Sequence, residues 1–336
     1  MAEESRVTLR DVARAANVSS QTVSNVLRGR GRVAESTRQR VQAVIQRMDY
    51  RPHADAASLR TRRSKRIAHP IHRGELDSSN TIMLEFIRAL TAAVGRRNHN
   101  LVLVDSDGDI DELVRSRAVD AVILADIGVG DPRVSTLLRL GVPFACFGRI
   151  EPELSRNWID VDSRASVRDL TARLIDAGHQ RLAFLGYATG NRWDTDREAG
   201  FREAIAAAGL VERVYKAPLD PTAVHKVIAA LLESTPCPTA IVTGSDALAG
   251  SIYVAAARRK IRIGDELAVT GFDGGLAARL LSPSLTTLAI PLQYIGDWLV
   301  NRALAEIGGA TDLPGELIKA ELVIGESARL EAASAT

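Results

Sequence analysis

Ser20, Gln21 and Asn25 fall in one short stretch, Ser-Gln-Thr-Val-Ser-Asn, and their side chains suit the edges of nucleic-acid bases. Gln and Asn amides can bond adenine at two atoms at once, and a Ser hydroxyl serves several bases. Around them, Thr8, Ser19, Thr22, Ser24, Arg28 and Arg32 offer hydroxyls and guanidiniums for phosphate oxygens, contacts that position a protein on a duplex without reading its sequence. A different chemistry is suggested later in the chain. Trp193 lies among polar residues in a chain with only 4% aromatics, and an indole can stack on the C–H face of a sugar; a half-buried packing role explains it equally well. Asp194 and Asp196 flank Thr195 and match in type the paired carboxylates of glycoside hydrolysis, although two Asp at this spacing in a loop are more often turn residues.

The elements that must hold the base-facing groups follow from capping and periodicity. Thr8 and Asp11 form a capping box, with Asp a shorter partner than the usual Glu. Leu9, Val12, Ala13 and Ala16 then share one helical face. Asn17 and Val18 break the pattern, and Ser19 caps a second helix with Val23, Val26 and Leu27 inward. Arg28-Gly29-Arg30-Gly31-Arg32 reads as a loop. A third helix begins at Glu35, turns Val41, Val44, Ile45 and Met48 inward, and is stopped by Asp49-Tyr50-Arg51-Pro52, because Pro52 pushes Arg51 out of the α region. Three short helices with a tight turn between the first two describe a helix-turn-helix, whose second helix enters the major groove. The charge distribution agrees. Residues 1–66 hold 15 Lys/Arg against 6 Asp/Glu, a net of +9, whereas the remaining 270 hold 28 against 35, a net of −7. A small basic module on an acidic body implies that the module alone meets a polyanion.

Length and composition bound the rest. A chain of 336 residues, 46% hydrophobic and 25% charged, is a globular protein of two or three domains. No apolar run approaches the roughly 18 residues that would span a bilayer, and the polar start lacks a signal-peptide core, so a cytoplasmic protein without membrane partners is expected. Cys146 and Cys237 stand in apolar contexts without metal-ligand spacing and read as two reduced, buried thiols. Neither a metal nor a cofactor is implied. From Arg66 onward, strand-like runs at Arg66–Pro70, Asn100–Val104, Ala121–Leu124, Phe144–Phe147, Arg181–Leu185, Ala240–Thr243 and Leu267–Gly271 alternate with helical stretches such as Ile82–Arg97, Ser163–Ala177, Arg197–Ala208 and Ala247–Arg259. Such alternation predicts parallel sheets with helices on both faces, and ligands bind beyond the carboxyl ends of such strands.

The string V-T-L-R-D-V-A-R-A-A-N-V-S-S-Q-T-V-S-N-V-L closely resembles the headpiece of the LacI (lactose-repressor) family. The later segments V-A-E-S-T-R-Q-R-V, M-D-Y-R-P-H-A-D-A-A-S-L-R, L-I-D-A-G-H-Q-R-L-A-F-L-G, D-R-E-A-G-F, I-V-T-G-S-D-A-L-A-G and L-A-V-T-G-F-D-G-G are similar in order and spacing, with residues 67–120 more diverged. The resemblance implies an all-α helix-turn-helix headpiece (1–50), a hinge helix and linker (51–66), and an α/β periplasmic-binding-protein-like core (67–336) of two doubly wound subdomains. These would comprise residues 67–162 with 292–321, and 163–291 with 322–336. It also implies a homodimer on palindromic operator DNA, with Leu59 of each copy wedged into the minor groove behind Ala56. Asp55 departs from that pattern, since it brings an anion near phosphates.

By the same resemblance, Arg149, Arg197, Asp246 and Asp273 occupy effector-site positions, and a guanidinium fork and carboxylate acceptors suit sugar hydroxyls. Trp193 would be the stacking face. Structural ion pairs are the alternative role for the charged four. Gly148-Arg149 stands where the family often has an acidic residue before Arg, and Ile290 stands where Gln often precedes the proline. The function implied is an operator-binding transcription regulator, a repressor, controlled by a small molecule, with a sugar or oligosaccharide favoured over a purine. A sugar-active enzyme is the weaker alternative, because G-x-S-x-G, the Walker-A lysine loop and H-E-x-x-H are all missing from the sequence. A secreted sugar-binding protein fits poorly with the basic headpiece.

Overall fold

The computed structural model describes residues 7–29, 31–50, 63–71, 81–105, 110–116, 118–128, 130–150, 156–311 and 313–330. Ala56 and Leu59 lie outside them, as does the side chain of Arg28. The chain divides into two compact units, Met1–Ser64 and Lys65–Thr336.

Among the described residues, the small unit holds three helices, α1 (Leu9–Ala15), α2 (Ser20–Arg28) and α3 (Glu35–Arg47). The capping box forms as the spacing predicts: Thr8 Oγ1 accepts from the Asp11 backbone N–H at 3.4 Å, and the Thr8 N–H donates to Asp11 Oδ2 at 2.9 Å. Asn17 takes φ +50°, a left-handed turn that Asn tolerates. Ser19 then starts α2 by accepting from Thr22 N–H at 3.1 Å. Val12, Ala16, Val23, Val26, Val41 and Val44 are buried together and fix the helices against one another. The third helix ends at Arg47, with Met48 as its cap, and Asp49, at φ +42°, turns the chain where the expected stop begins.

The large unit holds two sheets of six strands. The first contains β1 (Arg66–Ile71), β2 (Asn100–Asp105), β3 (Ala121–Leu124), β4 (Phe144–Phe147) and β5 (Trp158–Val161), with the intervening helices α4 (Thr81–Arg96), α5 (Ile110–Arg115) and α6 (Pro132–Leu140). The second contains β6 (Leu182–Tyr187), β7 (Val214–Ala217), β8 (Ala240–Thr243), β9 (Ala268–Asp273) and β10 (Thr286–Ala289). Its helices are α7 (Ser163–Asp176), α8 (Arg192–Ala207), α9 (Pro221–Glu233), α10 (Asp246–Arg258) and α11 (Leu276–Leu280). Helix α12 (Leu292–Ile307) leads back to β11 (Glu316–Ile318) in the first sheet, and β12 (Glu321–Val323) closes the second. The strand orders are β11-β5-β4-β3-β1-β2 and β12-β10-β9-β8-β6-β7, parallel except for the antiparallel β10–β12 pair. The chain therefore passes between the sheets three times, after Val161, after Ala289 and after Ile318.

Buried Val, Ile, Leu and Phe on both faces of each sheet explain why the central strands read as unbroken apolar runs. Gly200 lets α7 and α8 pack backbone to backbone, since a Cβ there would overlap the Arg164 carbonyl. One sequence expectation is corrected: Cys146 is buried, but Cys237 is exposed, held in a surface loop between Pro236 and Pro238. Among the described residues, no helix is long and apolar enough to cross a membrane.

Candidate functional site

In the small unit, α2 carries the base-facing candidates on its outer side. Ser20 and Gln21 are exposed at its first turn, and Asn25 is half-buried one turn on. Gln21 Nε2 donates to Asn25 Oδ1 at 3.2 Å, and Asn25 also lies against Gly31, so the two amides form one polar strip. Thr8, Ser19 and Arg32 are exposed, and Thr22 is half-buried with its hydroxyl 2.9 Å from that of Ser19. Ser24 does not belong with them. It is only 4% exposed, although it stands one turn from Gln21 on the same side of α2.

In the large unit, the carboxyl ends of both sheets supply the polar residues. Arg197 of α8 is buried; its guanidinium lies 3.6 Å from the Phe272 ring centroid and 5.0 Å from that of Trp193. Its Nη1 donates to the Gly244 carbonyl and lies 3.6 Å from Asp273 Oδ1, while its Nε is buried without a partner among the described residues. Asp273 ends β9 at φ +116°, a backbone region that costs a non-glycine residue roughly 1–3 kcal/mol. Burial, above all, raises its carboxyl to about 7, against the opposing pull of Arg197. Asp246 opens α10, accepting from Thr287 Oγ1 at 2.6 Å and from Gly275 N–H at 3.0 Å, and burial raises it to about 6. Gly271 makes room for it, since any Cβ there would overlap the Asp246 carboxylate.

The first sheet contributes from across the cleft. Arg149, just beyond β4, donates through Nε to Asp160 of β5 at 2.9 Å and through Nη2 to Asp196 of α8. Asp126, beyond β3, accepts from Trp193 Nε1 at 3.0 Å and from Asn191 Nδ2 at 3.1 Å. Glu85 of α4 accepts from the Leu276 N–H at 2.8 Å and adds to the negative field at Asp273.

The five side chains expected here thus gather at one cleft, but with different commitments. Arg197, Asp246, Asp273 and Trp193 cluster on the second sheet's side. Arg149 is engaged by carboxylates of both halves, the ion-pair alternative. Trp193 sits in the first turn of α8, not in a loop. Asp194 and Asp196 do not act as a pair. Asp194 is buried, takes Lys216 Nζ at 2.9 Å and the Tyr187 N–H at 3.2 Å, and so braces the loop before α8, while Asp196 turns to Arg149. Glu85, Asp126 and Asp160 escaped the sequence reading. Only Asp126, just past a strand's carboxyl end, carried a positional signal.

Residues 8–53 match the family described as "Bacterial regulatory proteins, lacI family", and residues 171–328 match "Periplasmic binding protein-like domain". The HTH-type transcriptional regulator RafR of Escherichia coli is 30% identical over 247 residues, covering 71% of this chain and 73% of the relative. The chain belongs to the LacI family. Like its relatives, this LacI-family protein is a DNA-binding transcription regulator, not an enzyme. The solved "transcriptional regulator CelR-cellobiose complex" is 25% identical with a TM-score of 0.71, covering 96% of this chain and 100% of that one. The crystal structure of the Lac repressor dimer bound to operator and the anti-inducer ONPF has a TM-score of 0.84 at 21% identity, covering 96% of this chain and 99% of that one, and shares the fold.

Proposed function

We propose that this regulator is a cytoplasmic repressor that binds a two-fold symmetric operator as a homodimer and changes its DNA affinity when a sugar enters the core cleft. The observation that carries this reading is the grouping of Trp193, Arg197, Asp246 and Asp273 at one inter-sheet cleft. An aromatic face and an acceptor-rich wall suit a ring with vicinal hydroxyls. The cellobiose of the CelR complex supports it by likeness. In the headpiece, Ser20, Gln21 and Asn25 read bases, while Thr8, Ser19, Thr22, Arg28 and Arg32 contact phosphates. Ala56 and Leu59 enter the minor groove as an apolar wedge.

The dimer reading is supported by exposed Leu84, Leu276 and Leu280. The Leu276–Glu85 bond brings α11 beside α4, so these leucines present neighbouring apolar positions that a second copy would cover.

Selection of binding sites from random duplexes, with sedimentation of the selected complex, tests this. Two chains on an inverted repeat are expected. A single chain on an asymmetric site would refute the dimer reading.

A further inference from the structure

The charged groups brought to the cleft among the described residues are unevenly matched and largely committed. Arg149 and Arg197 are guanidiniums that meet its carboxylates and rings, while Arg133 donates to the Asp126 carbonyl from an ion pair with Asp131. Arg149 is engaged by Asp160 and Asp196. Arg197 is covered by the Phe272 and Trp193 rings and directs Nη1 to the Gly244 carbonyl and Asp273. Against them stand Asp160, Glu85 and Asp126 on the first half's side, and Asp196, Asp246 and Asp273 on the second's. Arg197 Nε, buried and without a partner among the described residues, is a donor left for a ligand oxygen such as a hydroxyl or ring oxygen.

We infer that the effector is an uncharged or amino-bearing sugar and that the cleft excludes phosphorylated and carboxylated ones. The inference rests on the sugar reading above and adds the charge of the ligand. An anionic group would stand beside the carboxylates already drawn up against Arg149 and Arg197, and displacing one of them would leave it unpaired next to the ligand. At an effective protein dielectric of about 20, one like-charge contact near 5 Å changes binding by about 100-fold or more. Hydroxyl donors meet no such opposition, because carboxylates accept from them directly. An ammonium substituent gains from the same field.

Isothermal titration of the full chain with matched sets tests this: D-glucose with D-glucosamine, D-glucose 6-phosphate and D-glucuronate, and D-galactose with its amine, 6-phosphate and uronate. Within the set that binds, the neutral or amino sugar is expected to bind at least about tenfold tighter than either anion. Asp126→Asn, which removes a cleft charge but keeps an acceptor for Trp193 and Asn191, is expected to narrow that gap. An anionic member binding as tightly as its neutral parent would overturn the inference while leaving the sugar reading intact. Binding by no member, nor by cellobiose, would count against the sugar reading instead. Adenosine against AMP would then carry the charge question, with AMP equal to adenosine refuting it and adenosine alone upholding it.

Discussion

Arg149 joins Asp160 of β5 to Asp196 of α8, so one guanidinium ties the two halves of the core together. All three side chains are largely buried. Removing one member of a buried pair leaves the other uncompensated. Arg149→Gln is therefore expected to destabilise the core by about 1–3 kcal/mol. Asp196→Asn should cost less, because Arg149 keeps Asp160. Urea unfolding of the two variants checks this. Equal losses would show that the Asp196 contact, not Asp160, anchors Arg149.

The carboxyls of Asp246 and Asp273 are raised to about 6 and about 7, chiefly by burial. The fold thus holds these protons more tightly than the unfolded chain, whose carboxylates titrate near pH 4. Their contribution to stability is present below about pH 4 and lost as pH rises toward 7. Asp273→Asn should flatten this fall when unfolding is followed from pH 4 to 7. An unchanged slope would mean that Asp273 ionises normally.

His69 acts in the opposite sense. Its ring is buried in β1, edge-on to Phe86, with Nδ1 2.9 Å from the Ile123 carbonyl, and burial lowers it to about 4. It folds neutral, so stability is lost as pH falls from about 6.5 to about 4, by up to about 3 kcal/mol. His69→Leu should remove that acid-side loss while leaving the Asp273 effect in place. Retention of the full acid sensitivity in the variant would locate it elsewhere.

The two kinds of DNA recognition separate by their salt dependence. Gln21→Ala should cost about 1–3 kcal/mol on the preferred operator and relax base preference at one position of each half-site. Arg32→Ala should weaken all duplexes alike and reduce the salt slope by about one unit for every phosphate that Arg32 neutralises. Binding to the selected operator and to a scrambled duplex over a salt series distinguishes them. A uniform weakening for Gln21→Ala would remove it from base reading.

Much of this architecture was legible in the sequence for a simple reason. Strands buried on both faces, such as Ala121–Leu124 and Ala240–Thr243, appear as apolar runs between turn residues. Strands with polar members were missed: Trp158–Val161 contains Asp160, and Thr286–Ala289 buries two threonines in hydrogen bonds. Helix α8 begins earlier than expected because its inward face holds Asp194, Arg197 and Gly200, so no apolar stripe announces its first turn. The cleft shows the same limit. Arg197, Asp246 and Asp273 stand in motifs, whereas Glu85 and Asp160 come to the site only through the meeting of distant elements.

The central claim is that ligand in the cleft and DNA on the headpiece are coupled. The most direct test is the affinity of the full chain for its selected palindrome, at fixed salt, with and without the neutral or amino sugar that binds the cleft. The account predicts a shift of about tenfold or more, equivalent to about 1.4 kcal/mol of coupling, which Asp273→Ala abolishes while leaving sugar-free operator binding in place. Equal operator affinity at zero and saturating sugar would contradict it.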